Sequence, residues 1–232
     1  MTPVPSDTAL DALEAVYQNI TAVADGLSEA DLMRPSRCAG WAVTDVLYHQ
    51  LLDARRALRT LASPAQEPAD VDAVTYWQAY PPQRDDTGAI PDRQSAAHAR
   101  YVRIAASAYP PGQLAWEWRE TSAAVCRAAQ ACPHEAVTTQ GHVLLTADFL
   151  ATLAVEAAVH YLDLTVALPA APAPDPSSLA LVRRTFDGLL GATIPAGWDD
   201  ISYALKGAGR VPLSETDRDI IGSLADRMPL IG

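Results

Sequence analysis

The chain has 232 residues, of which 49% are hydrophobic and 19% charged, and its formal net charge is −11. These values are typical of one large globular domain, or of one domain with a small appendage, and they exclude a disordered or fibrous chain. The 17 basic residues form no cluster, which argues against a nucleic-acid partner or an anionic membrane surface, since Lys and Arg would have to recognise either.

The first residues do not resemble a targeting segment, because MTPVPSDTALDALEAV has neither a charged start nor an apolar centre. The three cysteines are an odd number and lack the CxxC spacing of metal sites, as is typical of a reducing compartment. The longest apolar stretch, residues 143–168, is interrupted by four ionisable side chains and does not predict a membrane span. The sequence therefore predicts a cytoplasmic protein without a membrane partner.

Helical spacing of apolar residues dominates the chain, and alternating β-branched runs are scarce. In chain order the pattern predicts helices over about residues 8–26, 44–62, 92–109, 112–132 and 146–168, with a short helix and loop over 71–90 and a small hairpin that turns at Gln140 and Gly141. This set predicts an all-α protein, a bundle of four long helices with a small C-terminal helical appendage.

A proline-rich stretch, PAAPAPDPSS, follows the last long helix and has the composition of a linker. Beyond it, SLALVRRTFDGLL and SETDRDIIGSLADRM predict short helices, the second of which opens on the capping residue Ser214. We therefore expect two parts. Residues 1–170 form the bundle, and residues 171–232 form a linker and a short helical C-terminal segment.

Two polar residues, Glu156 and His160, interrupt the long apolar helix. Residues four apart lie on one face of a helix, so both side chains can reach one point beside it. His49 lies among leucines in the second predicted helix, which directs it at least partly toward the bundle interior. Together the three residues form a His₂Glu set that suits Zn²⁺ with an open fourth position, as in catalytic sites, although ligand type leaves other divalent metals open.

These residues also have structural interpretations. A histidine among leucines is often a core residue with satisfied hydrogen bonds, and a Glu–His pair four apart is often a solvated contact. Two carboxylates lie near the histidines along the chain: Asp45 is one turn before His49, and Asp163 is nearly one turn after His160. Either could accept the second imidazole N–H of its neighbour and fix the ring, as carboxylates beside metal ligands commonly do.

Two helices and the C-terminal tail resemble a known family. GWAVTDVLYHQL is similar to the W-x-x-x-D/E-V-L-x-H segment that opens the second helix of DinB-like metal-binding bundles. VEAAVHYLDLTVAL resembles the E-x-x-x-H-x-x-D-L helix of their mycothiol-dependent maleylpyruvate isomerase branch. The tail from residue 200 is similar to the C-terminal segment of actinobacterial members, and all three motifs occur in the expected order.

The resemblance implies a four-helix bundle that binds one divalent metal, most often zinc, through His49, Glu156 and His160. It also implies that the open metal position accepts the thiol of mycothiol, the low-molecular-weight thiol of actinobacteria. A coordinated thiol becomes a thiolate at neutral pH. Such a thiolate can add to an electron-poor double bond for cis–trans isomerisation, or displace a leaving group for S-transfer.

Residues near this centre are candidates for binding the substrate. Arg210 lies in a glycine-flanked loop and could hold a substrate carboxylate bidentately, or it could be a solvated or structural arginine. Arg37 and Trp41, just before the second helix, could border the pocket mouth, although Trp41 also fits a core anchor. For the other tryptophans, Trp77, Trp116 and Trp118, we predict packing roles. His98 and His134 are expected at surface or loop positions, and His142 is a weaker candidate for the pocket. We predict no role for Cys38.

We therefore expect a metal-dependent enzyme that uses mycothiol for isomerisation or S-transfer on a small, carboxylate-bearing substrate. A metal-dependent hydrolase on the same site is one alternative. The other is a non-catalytic metal-binding or stress-response module. The expected partners are a small-molecule substrate and the thiol, and the chain could be a monomer or a homodimer.

Overall fold

The computed structural model describes residues 5–80, 93–110, 112–194 and 197–231. Its elements in chain order are α1 (Ser6–Gly26), α2 (Glu29–Leu32), α3 (Val43–Leu61), α4 (Arg93–Ala106), α5 (Gln113–Gln130), β1 (Ala136–Thr139), β2 (His142–Leu145), α6 (Thr146–Thr165), α7 (Pro176–Leu190), α8 (Asp200–Gly207) and α9 (Glu215–Ile221). Short 3₁₀ helices occupy Thr75–Ala79 and Gly222–Arg227. The mostly helical fold that the sequence predicts is confirmed.

The helix α6 forms the centre of the bundle, because its residues are apolar on nearly every face. It packs most extensively against α1 and also contacts α3 and α7, while α5 packs across α3 and α1. Its ionisable residues are therefore held inside the protein: Asp163 is completely buried and His160 is 8% exposed. Among the described helices, none combines the length and hydrophobicity that crossing a bilayer requires.

The predicted hairpin is confirmed between α5 and α6. The strands β1 and β2 pair antiparallel, with Val137 opposite Leu144, and both side chains are fully buried. Gln140 and Gly141 form the turn with φ angles of 48° and 83°. Two successive left-handed residues give the tight turn that matches the twist of antiparallel strands.

The C-terminal residues pack on the bundle. The helix α7 contacts α1 and α6, and α8 contacts α7. The proline-rich stretch before α7 is tethered at two carbonyls, because Tyr161 donates a hydrogen bond to Pro172 and Asn19 donates one to Ala173. The division into residues 1–170 and 171–232 stays a prediction.

The contact of α8 with α7 gives a first testable prediction. A Cβ at Gly207 would overlap the fully buried ring of Phe186. Overpacking of this kind costs about 1–3 kcal/mol, so Gly207→Ala should lower the unfolding midpoint by roughly 2–12 °C in a thermal melt. Gly26→Ala is the matched control, because nothing lies within 4 Å of its added Cβ. Equal midpoints for the two variants would contradict the described packing of α8.

Candidate metal centre

Three potential metal ligands converge between α3 and α6. Glu156 and His160 project from one face of α6, and His49 projects from α3 toward them. The Glu156 Oε1 atom lies 3.4 Å from His49 Nε2 and 3.3 Å from His160 Nε2. Within the described chain, one ligand atom from each of these residues lies within 4.8 Å of both others. The spacing that the sequence pattern indicates is thus present in the folded chain.

The donor set fits a divalent metal. Two imidazole nitrogens and one carboxylate leave a fourth tetrahedral position open, and ligand bonds of about 2.0–2.1 Å place neighbouring ligand atoms roughly 3.3 Å apart. Burial alone would raise the pKa of Glu156, but hydrogen bonds and charges from His160 and His49 hold it well below its usual range. Glu156 is therefore a carboxylate at neutral pH, ready to bind a cation.

The second ring nitrogen of His160 belongs to a buried network. His160 Nδ1 lies 3.0 Å from Asp163 Oδ2, and the Arg210 Nε atom lies 2.9 and 3.1 Å from the two oxygens of the same carboxylate. Burial opposes ionisation of Asp163, but hydrogen bonds from His160 and the charge of Arg210 lower its pKa to about 2. Asp163 thus orients the His160 ring and leaves Nε2 directed at Glu156.

A second cluster that could hold a metal comprises Cys38, His160 and Asp163. The Cys38 Sγ atom lies 3.2 Å from Asp163 Oδ2 and 3.9 Å from His160 Nδ1. Arg210 already supplies a positive charge to this cluster, because its Nε atom pairs with Asp163 and its Nη2 atom lies 3.9 Å from the sulfur. A second cation there would meet like-charge repulsion, so we assign the metal to the first cluster.

Arg210 reaches the site from the loop after α8, as the sequence suggests, but with a different set of contacts. Its Nε atom pairs with Asp163, its Nη1 atom donates to the Ala208 carbonyl, and its Nη2 atom faces Cys38. The guanidinium is thereby engaged within the protein, although its edge lines the pocket. The geometry supports a positioning role through Asp163 more directly than the predicted contact with a substrate carboxylate.

Asp45 does not take the position expected for it. Its Oδ2 atom accepts a hydrogen bond from the Ala42 backbone at 2.9 Å and so caps α3. The carboxylate near His49 is instead Asp53, one turn later on α3, whose Oδ2 atom lies 3.6 Å from His49 Nε2. The other ring nitrogen of His49 faces His98, at 3.5 Å between Nδ1 and the His98 Nε2 atom.

The centre lines a pocket of about 980 Å³, a volume suited to a small ligand. Its aromatic lining residues are Trp41, Tyr76, Trp77, Tyr80, Tyr101 and Phe149. Trp41 lies against the metal centre as expected, with its ring centroid 5.4 Å from that of His49. Arg37 is not among the residues that line this pocket, and its backbone N–H donates to the Asp163 carbonyl.

The predictions for the other tryptophans and histidines have mixed outcomes. Trp118 is fully buried, as a packing residue should be, whereas Trp116 is 51% exposed and the packing prediction for it is wrong. Trp77 is buried but also lines the pocket. His98, expected on the surface, is solvent-exposed but lies against His49, whereas His142 pairs with Asp70 outside the pocket lining. A remote contact such as that of His98 leaves no local signal in the sequence.

Comparison with known proteins adds a family and a fold. Residues 13–165 match the family model described as the mycothiol maleylpyruvate isomerase N-terminal domain. Two similar solved structures are described as the mycothiol-dependent maleylpyruvate isomerase, one of them a histidine-to-alanine mutant. Each is 15% identical to this chain, with TM-scores of 0.56 and 0.55, over 84% of this chain and 74% of the other. No curated protein sequence matches the chain.

Proposed function

This chain belongs to the family of mycothiol maleylpyruvate isomerase N-terminal domains, and on that premise we propose that it is a metal-dependent enzyme that uses mycothiol. The reaction is an isomerisation or an S-transfer on a small molecule. The observation that carries this proposal is the convergence of His49, Glu156 and His160 in the wall of a 980 Å³ pocket. A site open to a pocket suits chemistry, whereas a purely structural metal is usually enclosed by four protein ligands.

We propose Zn²⁺ as the metal, and His49, Glu156 and His160 would hold it. When bound, it supplies Lewis acidity and lowers the pKa of a coordinated thiol, which yields a thiolate at neutral pH. The residues of the chain contribute orientation and exclusion of water. Asp163 fixes the His160 ring, Trp41 packs beside His49, and the aromatic pocket wall limits the access of solvent.

We propose that the acceptor is a small organic molecule. Arg210 does not restrict it to a carboxylate-bearing molecule, because Asp163 already pairs with that guanidinium. A reduced thiol cosubstrate and three unpaired cysteines favour a cytoplasmic setting. Either a monomer or a homodimer is compatible with this proposal, since every ligand of the metal centre comes from one chain.

A metal-dependent hydrolase would use the same ligands, with water instead of sulfur in the open position. A binding or stress-response module would need the metal but no acceptor pocket, and the cavity beside His49, which both aromatic and ionisable side chains line, favours an enzyme over that alternative. The hydrolase and the thiol-using enzyme differ in one observable respect, namely whether sulfur reaches the metal.

Cobalt substitution should reveal sulfur at the metal. We expect addition of mycothiol to the Co²⁺-loaded protein to produce a new near-ultraviolet sulfur-to-cobalt charge-transfer band that saturates at about one thiol per chain. S-methylmycothiol, in which the sulfur cannot become a thiolate, is the control and should give no such band. An unchanged spectrum with mycothiol would contradict the proposed function and favour the hydrolase.

A further inference from the structure

A cluster of uncharged polar side chains lines the same pocket as the metal centre. The side-chain amide of Gln140 donates to the hydroxyl of Tyr76 at 2.7 Å and to the hydroxyl of Tyr80 at 2.6 Å. All three residues belong to the lining of the 980 Å³ pocket. The tyrosines come from the 3₁₀ helix Thr75–Ala79 and the residue after it, whereas Gln140 comes from the turn between β1 and β2. Two segments that are remote in sequence therefore build this part of the pocket wall.

The cluster keeps hydrogen-bonding groups that the described residues do not use. Burial and the neighbouring Tyr80 raise the pKa of Tyr76 above its usual range, so Tyr76 stays protonated and can donate to the Tyr80 oxygen. The Tyr80 O–H group then remains as a donor, and the Gln140 carbonyl oxygen remains as an acceptor. Neither has a further partner in the part of the chain that the structure describes. A donor and an acceptor thus lie side by side on the pocket wall.

The backbone of Gln140 is unfavourable for a residue of this type. Gln140 is the one non-glycine residue with a positive φ among the described residues, at 48°. Asn, Asp and Gly adopt this left-handed conformation more readily and are preferred at this position of a two-residue hairpin. Asn carries the same amide but is one methylene shorter, so it would not reach both hydroxyls. A residue held in a costly conformation for the sake of its side chain is typical of ligand sites.

The cluster lies at the exposed end of the pocket, and the metal centre lies at its buried end. Tyr80 is 39% exposed and Gln140 is also exposed, whereas His160 is only 8% exposed. A molecule that reacts with metal-bound sulfur must lie at the buried end. The exposed end is therefore left for a part of the thiol that does not react. The rings of Tyr76 and Tyr80, with centroids 5.3 Å apart, add apolar faces beside the polar groups.

Mycothiol has such a part, because it joins an acetylated cysteine, which carries the sulfur, to a glucosamine–inositol unit with many hydroxyl groups. Each hydroxyl both donates and accepts, which matches the Tyr80 O–H group and the Gln140 carbonyl oxygen. We propose that Tyr80 and Gln140 bind the glucosamine–inositol unit of mycothiol while its sulfur occupies the open metal position, and that Tyr76 holds both side chains in place. This inference rests on the proposed function, since it requires sulfur at the metal.

N-acetylcysteine, which has the sulfur but lacks the glucosamine–inositol unit, separates the two ends of the ligand. In the Co²⁺-loaded protein, titrated through the sulfur-to-cobalt band, we expect Gln140→Gly to raise the Kd for mycothiol about 5- to 50-fold. The Kd for N-acetylcysteine should change less than about twofold, because the variant removes no contact with the sulfur end. Gly is favoured at this turn position, so the variant should fold.

Tyr80→Phe is the second variant, because it removes only the hydroxyl. We expect it to raise the Kd for mycothiol about 3- to 10-fold and to leave the Kd for N-acetylcysteine unchanged. Tyr109→Phe is the matched control: its hydroxyl accepts from Arg55, and Tyr109 is not among the residues that line the pocket. This control should bind both thiols as the wild-type protein does.

The possible outcomes separate the two proposals. Absence of a sulfur band with both thiols in the wild-type protein would overturn the proposed function, and with it this inference. Equal Kd values for mycothiol and N-acetylcysteine in the wild-type protein would overturn only the inference, and so would an unchanged mycothiol Kd in both variants. A parallel rise for both thiols in Gln140→Gly would also overturn it, since the variant would then act on the metal centre and not on the glucosamine–inositol unit.

Discussion

The His160→Ala variant should purify almost without metal, at less than roughly a tenth of an equivalent per chain, whereas the wild-type protein should carry about one. The substitution removes one of three protein ligands and leaves Glu156 and His49 as a pair too weak to retain a divalent ion. Loss of a partner to a ligand typically weakens binding by about 10- to 100-fold, and loss of the ligand itself should exceed that range. Metal analysis after exhaustive dialysis measures the effect.

A control variant should separate the site from general effects of losing a histidine. His142 lies on β2, pairs with Asp70 at 3.0 Å and is not among the pocket-lining residues. His142→Ala should therefore keep its metal, while His49→Ala should lose it as His160→Ala does. Full metal occupancy in His160→Ala would show that the cluster of His49, Glu156 and His160 is not the metal site.

The parts of the site that lie on one helix could be predicted from the sequence. The spacing of Glu156, His160 and Asp163 fixes their common side of α6, and apolar neighbours indicate burial. His49 was grouped with that helix because its apolar neighbours indicate an inward side chain, and the resemblance to the family implies the same three ligands. Helical periodicity alone does not specify which helices are neighbours. The fold class followed from the same periodicity and from the turn residues Gln140 and Gly141.

Local structure explains why the carboxylate beside His49 is Asp53 and not Asp45. Asp45 and Asp53 are each four residues from His49, in opposite directions along α3. Asp45 lies in the first turn, where backbone N–H groups lack partners within the helix, and its carboxylate is used as a cap. Asp53 lies mid-helix beside Arg56 and stays near the pocket. Position within the helix could have separated the two.

Contacts between remote segments could not be read from the sequence. Arg210 is 47 residues from Asp163, and its loop could approach the bundle in many ways. His98 meets His49 only because α4 packs on α3. Trp116 and Trp118 are two residues apart and so lie on different sides of α5, yet composition alone gave both the same packing role.

The buried carboxylate Asp163 should control both stability and metal affinity. Asp163→Asn keeps the shape but removes the charge that faces Arg210, and it leaves one acceptor oxygen for both Arg210 and His160 in place of two. Removing one partner of a buried ion pair costs about 3–5 kcal/mol, which corresponds to a fall of roughly 6–20 °C in the unfolding midpoint. Metal affinity should also fall, by about 10- to 100-fold, because the ring of His160 is no longer oriented.

Acid titration gives this prediction a second readout. The pKa of Asp163 is lowered to about 2 in the folded protein, against about 3.9 in an unfolded chain. The group therefore stabilises the fold above pH 4 by roughly 2–3 kcal/mol, and this contribution is lost as the pH falls from about 4 toward 2. In metal-free protein, the stability difference between wild type and Asp163→Asn should shrink over that window in urea unfolding.

Asp217→Asn distinguishes a specific effect on the metal from general destabilisation. Asp217 pairs with Lys206 at 2.6 Å and caps α9, and it is not among the residues that line the pocket. Its loss should lower the unfolding midpoint but leave metal affinity unchanged. Asp163→Asn could instead weaken the fold and still bind metal as tightly as Asp217→Asn. That result would mean that Asp163 stabilises the protein without orienting His160, and that the hydrogen bond between Asp163 and His160 does not help to hold the metal.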